Sequence, residues 1–220
     1  MVRAITQGDH STAVSNAGTV IDIEKSIGIF WEPAMQGAIV GERGLVHFFN
    51  WFYVLGFFPF IGLMALVLFL YRPELYRLLR NAVFISGAIG LIIFMTFPVA
   101  PPRFVGLNVI DSVAANSVAY QLLLPSDFVN EYAAVPSFHF GWTLLAGLAL
   151  VAQFRPWPIK LVGILMPTLM FLTIVFTAHH YILDPVFGGA VAIFGLVLAK
   201  NLHKFQPSRL SALPALLLRR

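Results

Sequence analysis

The chain has 220 residues, 59% of them hydrophobic and 11% charged, with a formal net charge of +4. Soluble domains carry about 25% charged residues, so the composition excludes an ordinary soluble fold and points to one integral membrane domain. With no cysteine, disulfides and thiolate metal sites are excluded; the basic residues are dispersed in short loops, which argues against nucleic acid as a partner.

Residues 1–44 hold Asp9, Asp22, Glu24, Lys25, Glu32, Glu42 and Arg43, too many charges for a membrane span. No basic stretch leads into a short apolar run, so no cleaved signal peptide is expected. Residues 21–31 gather apolar side chains on one side of a helix, which predicts an amphipathic helix lying in the membrane interface. A sixth crossing at 26–41 is weakened by Glu32 and Pro33.

A spanning helix needs about 20 apolar residues. Five windows qualify: 45–70, 82–100, 134–154, 161–178 and 183–199. Each must be helical, because a lipid-exposed segment has to satisfy its own backbone. The expected fold is therefore all-α, a bundle of five to six transmembrane helices. It divides into an N-terminal interfacial segment (1–44), the bundle (45–201) and a basic cytoplasmic tail (202–220). Loop 101–133 is the other long polar stretch, and residues 112–124 are predicted to form a short capping helix.

Charge sets the topology. Loops 71–80 and 155–160 and the tail hold ten of the fourteen basic residues, and the opposite side holds nine of the ten acids. Positive-inside counting puts those loops and the C-terminus in the cytoplasm. The N-terminal segment, loop 101–133 and turn 179–182 then face outside, in a multi-pass protein assigned to the plasma membrane.

Arg103 follows the second span, His139 begins the third, and His180 and Asp184 lie where the fourth turns into the fifth. All four fall at the extracytoplasmic end. Ionisable groups at membrane depth are costly and functional by default. His180 and Asp184, four apart, share a helix face. A carboxylate on one ring nitrogen fixes the tautomer and leaves the other nitrogen nucleophilic. The alternative is a His–Asp pair that only joins two helices. Pro185 restricts Asp184 to extended or turn geometry, which suits a helix N-cap.

Ser137 is a favourable N-cap after Pro136. The N–H groups of Phe138 and His139 would then point at an anion, with His139 donating a proton. Arg103, stiffened by Pro101 and Pro102, matches phosphate with its planar fork; lipid-headgroup anchoring is its alternative. His179 is a further donor to the phosphate or an interfacial residue. His47 and His203 flank spans and read as interfacial. His139, His179, His180 and Asp184 are acceptable zinc ligands, but two adjacent histidine rings cannot easily grip one ion. No metal and no cofactor is expected.

These residues resemble a known family. Pro136-Ser137-Phe138-His139 and His180-Tyr181-Ile182-Leu183-Asp184 look like two signatures of the type 2 phosphatidic acid phosphatase superfamily, the lipid phosphate phosphatases. The stretches Phe97–Arg103, Tyr132–Trp142 and Thr177–Asp184 are similar to its inositol phosphorylceramide synthase branch, as is Gly28-Ile29-Phe30-Trp31-Glu32-Pro33. The resemblance covers most of residues 22–195. It implies a six-helix-type bundle and a phosphohistidine mechanism, with His180 as nucleophile, Asp184 as its orienter, His139 as acid and Arg103 on the phosphate oxygens.

Departures from the family pattern bear on the substrate. Thr96 and Ile174 stand where the superfamily carries a lysine and an arginine, Phe104 where a proline follows the arginine, and Phe138 where glycine is usual. A site with fewer cations suits a phosphodiester, with one negative charge, better than a monoester with two. The expected reaction is transfer of a phospho-alcohol head group, such as phosphoinositol from phosphatidylinositol, to a lipid or glycan acceptor. Hydrolysis of phosphatidate or a polyprenyl (pyro)phosphate is the alternative enzyme reading, and lipid binding or transport without turnover is the non-enzymatic one.

Overall fold

The computed structural model describes residues 9–113 and 130–204. The expected capping helix from residue 114 onward, Asp127 and the tail from residue 205 lie outside the described residues. Among the described residues the fold is helical, with one isolated bridge, Val99 to Ala133.

Helix α1 (His10–Ser26) opens the described chain, with Asp9 as N-cap accepting from the Thr12 N–H. It stops short of the expected 21–31 helix because Gly28 turns the chain at φ +75°, a conformation open to glycine. Its Ala13, Ala17, Val20 and Ile21 are buried against Val99, Ala100, Ala134, Val135 and Tyr181. Ile23, Ile27 and Trp31 remain exposed. One face of the N-terminal segment thus packs on protein. Helix α2 (Glu32–Val40) follows. At nine residues it spans only about 14 Å, too short alone for the sixth crossing.

Helix α3 (Arg43–Trp51) runs through a π-turn (Phe52–Gly56) into α4 (Phe57–Tyr71). Helix α5 spans Pro73–Thr96 and α6 spans Phe138–Gln153. Helix α7 spans Trp157–Phe176 and α8 spans Leu183–Lys204. Among the described residues four helices are long and apolar enough to cross a membrane: Arg43–Tyr71, Pro73–Thr96, Trp157–Phe176 and Leu183–Leu202. The fifth expected span, α6, is a shorter apolar helix of 16 residues. It starts late because Pro136 and Ser137 hold its entry extended.

Helix α6 lies between α7 and α8. Close approach needs small residues at the crossings, as in membrane bundles generally. A Cβ on Gly188 of α8 would lie 2.1 Å from the Ser137 carbonyl oxygen, and one on Gly147 of α6 would lie 2.2 Å from that of Gly163. The first crossing matters most for function. It ties the start of α6, which carries His139, to the start of α8, which carries Asp184. The Ser137 N–H also donates to the Asp184 carbonyl at 3.2 Å.

Two amides strap the far side. Gln36 exchanges hydrogen bonds with Ile110 at 2.7 and 2.8 Å. Asn50 donates to the Ser112 carbonyl at 2.7 Å and accepts from its hydroxyl at 2.8 Å. Residues 110–112 are thereby fixed, and with them Asp111.

Candidate active site

The turn between α7 and α8 carries His179 and His180. Both of their N–H groups converge on the Ile174 carbonyl, at 3.0 and 3.1 Å. Position 174 therefore contributes a backbone acceptor, and its side chain is buried in the core. Ala178, at φ +56°, bends the chain back, and its carbonyl accepts from the Arg103 N–H at 3.3 Å. The arginine turn (Pro102–Phe104) and the histidine turn are so joined.

The His180 ring is buried, and its Nδ1 has two acceptors: the Ala134 carbonyl at 2.7 Å and Asp184 Oδ2 at 3.1 Å. Two acceptors on one nitrogen assign the proton to Nδ1 and leave Nε2 with its lone pair. Asp184 Oδ2 also accepts from the Tyr181 N–H at 2.9 Å. Burial pushes the His180 ring down to about 3; the Arg103 charge adds to this and the Ala134 carbonyl opposes it. The ring is neutral at neutral pH. Burial, with Arg103 next, likewise holds His179 well below its usual range.

His139, in the first turn of α6, faces His180 edge-on with ring centroids 5.8 Å apart. Tyr53, in the π-turn, and Phe57, just after it, pack on His139 at 4.8 and 4.6 Å. Tyr53 also lies 4.2 Å from the His179 ring, whose Nδ1 meets the Thr177 carbonyl at 3.0 Å. Arg103 Nε lies 3.0 Å from Asp111 Oδ2, and its guanidinium stacks over Phe104 at 4.5 Å.

These groups line one cavity of about 200 Å³, with Arg103, His139, His179 and His180 in its wall beside Phe94, Phe138, Asn130 and Glu131. Of the residues expected at a phosphate site, Arg103, Phe138, His139, His179 and His180 share this cavity. Asp184 stands behind His180, fully buried. Ser137 is the residue before α6, but its hydroxyl makes no capping bond and is buried outside the cavity wall. The first-turn N–H groups of Phe138 and His139 thus have no side-chain acceptor there. The Phe138 ring fills the space above Gly90, where a Cβ would lie 2.0 Å from it, and stacks on Trp142 at 4.9 Å.

Arg103 is the one permanent cation among the described lining residues. Thr96 turns its hydroxyl onto its own helix, at 2.9 Å from the Ile92 carbonyl, and is exposed. Among the described residues no three His, Cys, Asp or Glu side chains converge on a metal position.

Sequence reasoning missed Tyr53 in the wall; it put Asn130 and Glu131 on the site's side of the membrane without giving them a role. It also missed Glu24 and Glu32, whose carboxylates accept from Leu183 and Ile182 at the start of α8. Tyr53 and Asn50 carried a usable signal, being polar groups inside an apolar run.

Two buried neutral histidines make the fold acid-sensitive. In the unfolded chain a histidine titrates near 6.5, whereas folded His180 holds out to about 3. Below pH 6.5 the unfolded state binds protons the folded state refuses, so stability present above that pH is lost as pH falls. The melting temperature in detergent should drop steadily from pH 7 to pH 4, and less steeply in His179→Gln. A flat profile would contradict neutral buried rings.

A family model described as the PAP2 superfamily matches residues 18–198. No curated protein and no solved structure gives a significant match.

Proposed function

The chain belongs to the PAP2 superfamily, and from that premise we propose that it is a membrane phosphotransferase working through a phosphohistidine on His180. The superfamily acts on lipid phosphates by phosphatase or phosphotransferase chemistry. One observation carries the narrower reading: His180 Nδ1 is held by Ala134 and Asp184, which leaves Nε2 free in a cavity shared with Arg103 and His139.

The donor is a phospholipid diester such as phosphatidylinositol. His180 Nε2 attacks phosphorus, the bond to the diacylglycerol oxygen breaks, and protonated His139 gives its proton to that oxygen. A P–N bond now holds the phospho-alcohol head group. His139, neutral, takes the proton of an acceptor hydroxyl on a lipid or glycan. That oxygen attacks phosphorus, the P–N bond breaks and its electrons return to Nε2. One proton has passed from acceptor to diacylglycerol, and two in-line displacements retain configuration at phosphorus. Arg103 holds the non-bridging oxygens throughout, its pairing with Asp111 giving way to the phosphate.

The charge of the cavity supports a diester donor. Arg103 is matched there by Glu131 in the wall and Asp111 beside it. A dianionic monoester would meet too little positive charge. The asymmetry of basic loops supports a site on the extracytoplasmic face of the plasma membrane and a cytoplasmic C-terminus. The branch resemblance in residues 28–33 and 97–103 supports phosphoinositol as the group moved.

Protein in phosphatidylcholine vesicles should release diacylglycerol from phosphatidylinositol and pass the head group to an added lipid alcohol. His139→Ala should lower that rate by about a thousandfold, the middle of the range for losing a general acid–base. Phosphate release from phosphatidate, with no diacylglycerol from phosphatidylinositol, would replace this reading by a hydrolase.

A further inference from the structure

The start of α8 shows an unusual division of labour. From Thr177 to His180 every backbone N–H is satisfied by the end of α7: Thr177 by Thr173, Ala178 by Val175, His179 and His180 by Ile174. The next three go to side-chain carboxylates from three elements. Tyr181 donates to Asp184 at 2.9 Å, Ile182 to Glu32 Oε1 at 2.9 Å, and Leu183 to Glu24 Oε1 at 2.8 Å. The latter two contacts span 150 and 159 residues of sequence.

Glu24 and Glu32 are 0% and 1% exposed. Their Oε1 atoms take the N–H groups of adjacent residues, and neither second oxygen, Oε2, meets a donor. Two carboxylates buried side by side with free oxygens are stabilised by a proton held between them. The α1–α2 segment grips the histidine turn through these two backbone bonds.

We propose that Glu24 and Glu32 form a proton-sharing carboxylate pair that positions the turn bearing His180 and Asp184. They are positioning residues, acting through the backbone of Ile182 and Leu183. The inference rests on the reading of His180 as nucleophile. Loss of either carboxylate would leave a buried N–H without an acceptor on the peptide that sets the His180–Asp184 distance.

The pair also predicts a pH signature. Burial, then the bond to Glu32, raises the Glu24 carboxyl to about 9. The shared proton is present through neutral pH and is lost as pH rises through about 9, which leaves two buried charges beside Asp184. The groups that bear on the pair are Asp184 of α8 and Tyr181 of the turn; Asp22 and Lys25 of α1 are exposed. Turnover should fall above that pH as the pair splits.

Leucine and glutamine variants separate positioning from bulk structure. A glutamine keeps an oxygen for the N–H and supplies an N–H to the remaining carboxylate, so it replaces the proton with one that does not titrate. Glu24→Leu and Glu32→Leu should lose about 30-fold in kcat, with KM within about threefold. Glu24→Gln and Glu32→Gln should recover most of that loss and no longer show the fall above pH 9. Wild-type kcat in the leucine variants, or an intact alkaline fall in the glutamine variants, would overturn the proposal. If the leucine variants fail to fold, the glutamine profiles decide. If the wild type turns over neither phosphatidylinositol nor phosphatidate, the functional reading has failed separately, and the ring decides. In protein labelled with ¹⁵N-histidine, the His180 resonance (assigned by its loss in His180→Gln) should hold the Nδ1–H tautomer in wild type and Glu24→Gln. It should become a tautomer mixture in Glu24→Leu; an unchanged ring there would overturn the proposal.

Discussion

His180→Ala should abolish head-group transfer, with kcat falling at least about ten-thousandfold. The expected size follows from what is removed. A nucleophile lost from a covalent mechanism leaves only binding and electrostatic stabilisation, and other covalent enzymes lose about that much or more. In the proposed mechanism His139 carries the proton, and His179 Nδ1 meets Thr177 where that of His180 meets the Asp184 carboxylate. The fold should survive, because Asp184 keeps its bond from Tyr181 and the turn keeps its bonds to Ile174. Donor binding through Arg103 should persist, so the variant should still bind a phosphatidylinositol analogue with an affinity close to that of wild type. Residual kcat above about one per cent of wild type would contradict a nucleophilic role.

Asp184→Asn should lower kcat by about a thousandfold with little change in KM, less than the roughly ten-thousandfold of a triad carboxylate elsewhere, because the Ala134 carbonyl still holds the tautomer. One oxygen, Oδ2, serves both His180 and Tyr181, and the amide oxygen of asparagine can take over both bonds. Ring orientation is then kept and the negative charge alone is lost. That charge matters once the ring carries phosphorus on Nε2 and a proton on Nδ1, because the ring is then a buried cation. Asp184→Ala removes orientation as well and should fall further. Steady-state kinetics of the two variants separate the contributions, and a loss smaller than tenfold in Asp184→Asn would show that the charge is not used.

Apolar length and charge alone were enough to read the helical membrane character and to put Arg103, His139, His180 and Asp184 at one end of the bundle. Their convergence could be anticipated because each flanks a span whose ends topology constrains. Helix ends were less legible. Residues 73–81 continue α5 although Arg77 and Arg80 lower their hydropathy, because charged residues outside the apolar layer do not stop a helix. Residues 97–100 leave the helix at Pro98, whose carbonyl accepts from Asn16 of α1 at 2.8 Å.

The N-terminal segment was the least legible part. Glu24 and Glu32 look like solvent-facing charges in an interfacial helix, and nothing local shows that each meets an N–H some 150 residues away. The same holds for Gln36 and Asn50, which fix the loop bearing Asp111. Ser137 shows the opposite limit. Its N-cap position was predictable, but the burial of its hydroxyl follows from the crossing with Gly188, a contact between two helices with no local signature.

The most direct test of the account is the covalent intermediate. Purified protein is mixed with phosphatidylinositol labelled in phosphorus, quenched in alkali within the first turnover and digested for mass spectrometry. An acid-labile, alkali-stable phosphoinositol adduct should appear on the peptide carrying His180, localised to that residue and absent from His180→Ala. Turnover without any such adduct, or an adduct on His139 or His179 instead, would contradict the account.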